Sequence, residues 1–274
     1  MKPLVSVCIP AYNNAGYIKD TVMSILEQTY QNIELVVVDD CSTDNTVEVL
    51  ETIQDERLKI YKNEHNLGMV GNWNRCLELA TGEYVKLICA DDMIHKDAIE
   101  KEAKMMYKHP TVNLVESDTT LVDINGKKTG QFRRYHKSGV VNGVKLAKKS
   151  MLFKNFYGAP VNNLIRRSTL EKTGGFDTTF TYILDFDMWL RLSCTGDVYI
   201  IHEQLNSFRI RNDSNTGMLI GEKRDVYNAE HKKLLEKHAN AGIVKFTGFD
   251  IALSMMIRKM RNTAIGVYLK IFAK

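Results

Sequence analysis

The chain has 274 residues, 44% of them hydrophobic, and a formal net charge of +4. That length and apolar content suit one large domain with a real core, or one domain with an appended tail. The charge is too weak and too mixed in sign to argue for a nucleic-acid partner. Five scattered cysteines (Cys8, Cys41, Cys76, Cys89 and Cys194) form no CxxC pair. They suggest neither a disulfide framework nor a zinc site, and a reducing cytoplasm is the simplest compartment. The apolar start is too short for a secretory signal. No stretch approaches the length that spans a bilayer, so a membrane role would have the protein lie on the inner face as a peripheral protein.

In chain order, Leu4 to Ile9 is a near-continuous apolar run closed by Pro10, the mark of a buried parallel strand. Ile18, Val22, Ile25 and Leu26 recur at helical spacing. Ile33 to Val38 predicts a second strand. Ser42-Thr43-Asp44-Asn45-Thr46 is rich in capping residues and precedes a helical Val47, Leu50, Ile53 pattern. Asp44 reads as the acid of that helix start. Leu58 to Tyr61 is a third strand, Asn66-Leu67-Gly68 a turn, and Asn72 to Ala80 a helix stopped by Thr81-Gly82. Tyr84 to Cys89 is the fourth strand. Further on, Val112 to Val122 predicts a strand and Asp123 to Lys127 a hairpin turn. Lys127 to Lys149 reads as a basic, mobile loop. Ser168 reads as a helix cap, and Asp185 to Cys194 as a helix with Trp189 and Leu192 in the core.

Alternating strands and helices make the N-terminal half an α/β, Rossmann-like layer with a mostly parallel sheet. Ligands of such sheets bind beyond the carboxyl ends of the strands. Pro10-Ala11-Tyr12, Asp39-Asp40 and Asp91-Asp92 all fall there. Adjacent carboxylates at the end of an apolar strand are costly unless a cation joins them to a ligand. A divalent metal holding a diphosphate meets that need. Tyr12 could pack on the first helix or stack a nucleobase.

Val5-Ser6-Val7-Cys8-Ile9-Pro10-Ala11-Tyr12-Asn13 resembles the opening of family 2 glycosyltransferases, which have the GT-A fold. The resemblance continues through Ser24 to Tyr30, Val38 to Thr46, Asn66-Leu67-Gly68, Asn74 and Ala80 to Tyr84 into Ala90-Asp91-Asp92. It resumes at Gly174-Gly175-Phe176-Asp177 and at Asp185-Phe186-Asp187-Met188-Trp189-Leu190-Arg191. It covers roughly residues 4 to 215.

The resemblance implies an inverting transfer of sugar from a nucleotide diphosphate sugar, UDP-linked by preference, to a hydroxyl of a glycan or lipid-linked glycan in cell-surface polysaccharide synthesis. It places the nucleotide against Pro10, Ala11, Tyr12, Asn13, Asp39, Asp40, Asn66, Gly68, Asn74 and Asp91. It assigns Mn²⁺ or Mg²⁺ to Asp92, with Asp91 beside it, and the catalytic base to Asp185. Three positions depart from the family pattern. Cys89 stands where many relatives carry the first acid of the DXD motif. Leu184 stands where glutamate is frequent, and Arg211 where histidine is. Arg209 and Arg211 could then pair with the diphosphate.

Residues 1–215 would form the catalytic domain and 216–274 a helical extension. From Phe249 onward, Asp250 is the only acid among Arg258, Lys259, Arg261, Lys270, Lys274 and many apolar residues. Such a helix could lie on an anionic membrane or pack on the domain or a partner subunit. A homo-oligomer stays open. Two rivals remain: a sugar nucleotidyltransferase, disfavoured by the loop Pro-Ala-Tyr-Asn-Asn-Ala-Gly with its single glycine and no base, and a non-catalytic sugar-nucleotide-binding subunit.

Overall fold

A computed structural model describes residues 2–211 and 224–272, with side chains in the last helix up to Arg261. Four strands, β1 (Val5–Ala11), β2 (Ile33–Asp39), β3 (Leu58–Lys62) and β4 (Tyr84–Leu87), pair in parallel. Helices α1 (Ile18–Leu26), α2 (Thr46–Glu51) and α3 (Gly68–Leu79) connect them. Every residue of β1, β2 and β4 is buried, as expected of strands covered on both faces. Alternate residues enter separate clusters. Val5, Val7 and Ile9 pack with Val22 and Ile25 of α1, whereas Cys8, Val36 and Val85 pack with Cys76 of α3.

The second half adds β5 (Met93–Ile94), α4 (Ala98–Lys108), β6 (Val112–Val122), β7 (Lys128–Phe132), β8 (Gly139–Asn142), α5 (Gly143–Leu152), β9 (Asn163–Arg166), α6 (Arg167–Thr173), α7 (Leu184–Ser193) and β10 (Asp197–Arg209). Sheet order is β3-β2-β1-β4-β9-β6-β10-β5, with β7 on β6 and β8 on β10. The parallel first half is as expected. Here β6 and β10 are also parallel, while β9 runs antiparallel to β4 and β6. Lys86, wholly buried in β4, is neutralised by Glu102 of α4 at 2.9 Å.

Three expectations are corrected. Lys127 to Lys149 is ordered: Asp123 Oδ1 accepts from the Asn125 and Lys127 amides, both at 2.9 Å, and turns the chain into β7. Its polarity is that of exposed edge strands, not of a mobile loop. Gly68 opens α3 with φ +72°, so the helix starts four residues earlier than its apolar pattern suggests. Ser168 lies inside α6, whose cap is Arg166.

Two further helices follow, α8 (Arg224–Asn240) and α9 (Gly248–Phe272). The expected boundary at 215/216 lies outside the described residues. Leu234 and Leu235 of α8 are fully buried in one cluster with Trp189 and Leu192 of α7. In α9, Ile251 and Met255 join that cluster, and Ser254 Oγ donates to the Met151 carbonyl at 2.6 Å. The first half of α9 therefore packs on the domain. Phe249, Met256 and Met260 stay 75%, 53% and 65% exposed on its outer side. Among the described residues, no helix is long and apolar enough to cross a membrane.

Candidate active site

Because β1 lies between β2 and β4 and all three are parallel, their carboxyl ends open on one edge of the sheet. The Asp40 amide donates to the Ala11 carbonyl at 2.9 Å, which joins two of the expected segments directly. Asn13 and Cys41 both adopt left-handed backbone, with φ of 53° and 61°. The Asn13 amide donates to Ser42 Oγ, and its side chain accepts from the Thr43 amide at 2.7 Å. Tyr12 leaves this junction 48% exposed, with a ring face available for stacking.

The carboxylates of Asp39 and Asp40 are buried and turned inward. Asp39 accepts from the Ser42 amide and hydroxyl. Asp40 Oδ1 accepts from Asn63 Nδ2 and the Leu67 amide, both at 2.8 Å. Asn66 Nδ2 donates to the Asp40 carbonyl and its Oδ1 accepts from Gly68. Buried Asn72 donates to the Val38 carbonyl and accepts from Asn63. These contacts tie the strand ends to the start of α3. Asn63 and Asn72 were not singled out by sequence reasoning; each is a lone amide without a pattern.

Asn74 is not in this group. Its Oδ1 accepts from the Phe176 amide at 2.7 Å and its Nδ2 donates to the Phe176 carbonyl at 3.0 Å. These two bonds clamp the amide expected at the nucleotide onto the Phe176 backbone, where it serves the fold.

Beyond β4, Asp92 is 1% exposed; its Oδ1 accepts from the Arg209 amide and its Oδ2 has no partner. Burial and neighbouring Asp91 push the Asp92 carboxyl well above the usual range. Asp91 is also raised by burial, and Arg211, at 3.2 Å from its Oδ2, pulls it back. An orphaned, buried oxygen beside a second carboxylate is a hard-oxygen donor pair that fits Mg²⁺ or Mn²⁺. Among the described residues no cluster of three acidic, histidine or cysteine groups could hold an ion. The remaining ligands would thus come from phosphate oxygens and water.

Arg209, expected near the diphosphate, is 3% exposed, and its guanidinium donates to the carbonyls of Asp91, Asp123 and Ile124. It is a brace that holds the Asp91-Asp92 turn against β10. Arg211 stacks over the Tyr17 ring at 4.6 Å while it faces Asp91.

Asp185 lies in the first turn of α7, where the helix dipole favours an anion. The Phe186 amide donates to its Oδ1 at 2.6 Å. Burial nevertheless raises its carboxyl to about 6, with Arg134 opposing. Two residues on, Asp187 accepts from Lys237 at 2.6 Å, His238 at 3.0 Å and Arg191 at 2.8 Å. Arg191 in turn donates to the carbonyls of Thr173, Gly174 and Gly175. Cys89 follows β4 and precedes the Asp91-Asp92 turn. Its thiol is pushed up by burial and then by the charges of Asp92, Asp91 and Asp185.

Residues 6–174 match the family described as Glycosyl transferase family 2. The chain belongs to that family. It is 29% identical, over 91% of its length and 77% of the other's, to an uncharacterized glycosyltransferase of Haemophilus influenzae. It resembles the crystal structure of S. aureus TarS in complex with UDP-GlcNAc, with a TM-score of 0.68, 21% identity, and coverage of 86% of this chain and 66% of that one. It also resembles the mannosyltransferase PcManGT of Pyrobaculum calidifontis in complex with GDP-Man and Mn²⁺, with a TM-score of 0.63, 19% identity, and coverage of 99% and 81%. The family 2 protein is thus a glycosyltransferase with the GT-A fold, and the nucleotidyltransferase reading falls.

Proposed function

We propose that this protein is an inverting, metal-dependent transferase that moves a sugar from a nucleotide diphosphate donor, UDP-linked first, to a hydroxyl of a surface glycan or lipid-linked glycan. The observation that carries the reading is geometric: β1, β2 and β4 run parallel, so Ala11, Asp39-Asp40 and Asp91-Asp92 stand beyond their carboxyl ends on one edge, with Asp92 Oδ2 buried there without a partner. The UDP-GlcNAc complex of TarS and the GDP-Man and Mn²⁺ complex of PcManGT support a nucleotide-sugar donor and a divalent ion.

In this reading Tyr12 stacks the base, and the Asp39–Asp40 junction, with Asn13, Asn66 and Gly68, shapes the pocket that receives the nucleoside. Asp92 and Asp91 hold the metal, which when bound neutralises charge on the leaving diphosphate. Arg211 remains beside them as a second cation. Asp185 accepts the proton of the attacking hydroxyl. A carboxyl raised to about 6 is still ionised at neutral pH and is a stronger base than an ordinary aspartate. Direct displacement by the acceptor inverts the anomeric centre.

The test is calorimetric titration of UDP and of GDP with Mn²⁺ and with EDTA, on the protein and on Asp92→Asn. Metal-dependent UDP binding lost in the variant supports the site. A preference for GDP redirects the donor, and no binding of either nucleotide to folded protein rejects the site.

A further inference from the structure

Arg134 faces Asp185 and belongs to a group of four cations that the reading of Asp185 as the base leaves without a role. The segment from Phe153 to Gly158 collects them. At its start, Arg261 of α9 donates to the Phe153 carbonyl at 3.2 Å, and Lys154 is the next residue. At its end, a Cβ on Gly158 would stand 3.1 Å from Arg134 Nε. Arg258, one turn before Arg261, is 7% exposed, donates to Asn228 Oδ1 and lies 4.3 Å from the Tyr227 ring.

None of Arg134, Lys154, Arg258 and Arg261 pairs with a carboxylate among the described residues. Arg134 Nε is buried without a hydrogen-bond partner. Glu116 lies near Arg134, but both its oxygens are without a hydrogen-bond partner, and burial pushes that carboxyl well above its usual range. Glu230 is engaged by the Thr181 and Tyr182 amides. The cations also repel one another: Lys154 is lowered by desolvation and then by Arg134 and Arg261, and Arg258 by desolvation and then by Arg261. Asp185 is felt by both Arg134 and Tyr227. Unneutralised guanidinium groups in a partly buried cluster are unfavourable unless an anion completes them, and forked donors suit phosphate or carboxylate oxygens.

We infer that Arg134, Lys154, Arg258 and Arg261 form an acceptor subsite for an anionic group, so that the glycan presented to Asp185 carries a phosphate or a carboxylate near its reacting hydroxyl. This rests on the transferase reading above. The subsite is built largely by α9 and by the segment after α5, which gives the C-terminal extension a part in choosing the acceptor.

The test titrates glucose 1-phosphate, methyl glucuronide and neutral methyl glucoside into the full chain with UDP and Mn²⁺ present. Variants are Lys154→Gln, Arg261→Gln and the pair together, because both side chains reach the surface and tolerate the change; Arg258→Gln follows. A charged sugar should bind at least tenfold more tightly than the glucoside, and the double variant should lose that advantage while UDP binds as before. Which charged sugar wins separates phosphate from carboxylate. Equal binding of charged and neutral sugars, or an unchanged advantage in the double variant, overturns the inference. Equal loss of UDP affinity also overturns it, since the cations would then serve the donor. Failure of UDP to bind the unaltered protein would instead count against the transferase site itself.

Discussion

Asp185 and Asp187 stand two residues apart in the first turn of α7, and the protein drives their carboxyls in opposite directions. Burial lifts Asp185 to about 6, whereas His238, Arg191 and Lys237 outweigh burial and hold Asp187 well below the usual range. Neighbouring acids pushed apart in this way take different tasks. On the proposed function, Asp185 exchanges a proton, while Asp187 fixes the helix that carries it.

Asp185→Asn should reduce sugar transfer by about a thousandfold or more and leave UDP affinity within about twofold, since the base acts on the acceptor. In the unaltered protein the rate should rise with pH through about 6. Stability has the opposite sign. The raised carboxyl binds its proton more tightly when folded, so stability falls between about pH 4 and 6 and stays lower above. The variant should therefore be more stable than the parent at pH 7.5, by on the order of 1–3 kcal/mol, and equal to it near pH 4. Urea denaturation at both values checks this.

Asp187→Asn should cost about 3–5 kcal/mol, because Lys237 and Arg191 lose the buried charge they share. A lowered folded pKa contributes stability above the unfolded value and loses it as pH falls, so the difference from the parent should shrink below about pH 4. Its transfer rate should keep the acid limb of the parent if Asp187 only positions α7.

Asp92→Asn should lower Mn²⁺-dependent UDP binding at least tenfold. Without metal or nucleotide the same change relieves repulsion with Asp91 while the Oδ1 contact to the Arg209 amide stays. Gain of about 1 kcal/mol would raise Tm by roughly 2–4 °C in a chain of this size. A fall in Tm would show that the two acids do not repel in the free protein.

Gly143→Ala should destabilise by more than about 2 kcal/mol, because a Cβ there would sit 1.9 Å from the Ser193 carbonyl oxygen and 2.1 Å from that of Gly196. Both obstacles are backbone, so neither can swing aside. Guanidinium denaturation is the readout, and an unaltered midpoint would mean that α5 does not abut the end of α7.

The outer stripe of α9 gives a membrane prediction. Phe249, Met256 and Met260 are exposed and share the helix with Lys259 and Arg261. Changing the three apolar residues to serine should release the protein from vesicles containing phosphatidylglycerol without altering its denaturation midpoint. Equal sedimentation with vesicles would remove the membrane role.

The strand ends were legible because short apolar runs stopped by Pro10, Asp39-Asp40 and Asp91-Asp92 carry both period and punctuation. Asp185 stands out in the sequence only through its family order, since one acid in a helical first turn has an ordinary explanation. Asn74 misled: the motif marks its place, but its clamp on Phe176 spans 102 residues and leaves no local trace. Arg134 was hidden in a basic stretch that read as solvated, and Arg258 in a tail that read as amphipathic. The proposed subsite joins them only because α9 folds back onto the segment after α5. The Lys127 to Lys149 stretch was misjudged because edge strands and loops share a polar composition.

The position of β9 limits how this enzyme can be recombined. Its four residues, Asn163–Arg166, come from the second half of the chain yet lie between β4 and β6. A chimera that grafts a new acceptor-binding half after the Asp91-Asp92 turn must bring its own matching inset strand. Otherwise β4 is left with an open flank, prone to pair with a neighbouring molecule before any sugar is transferred.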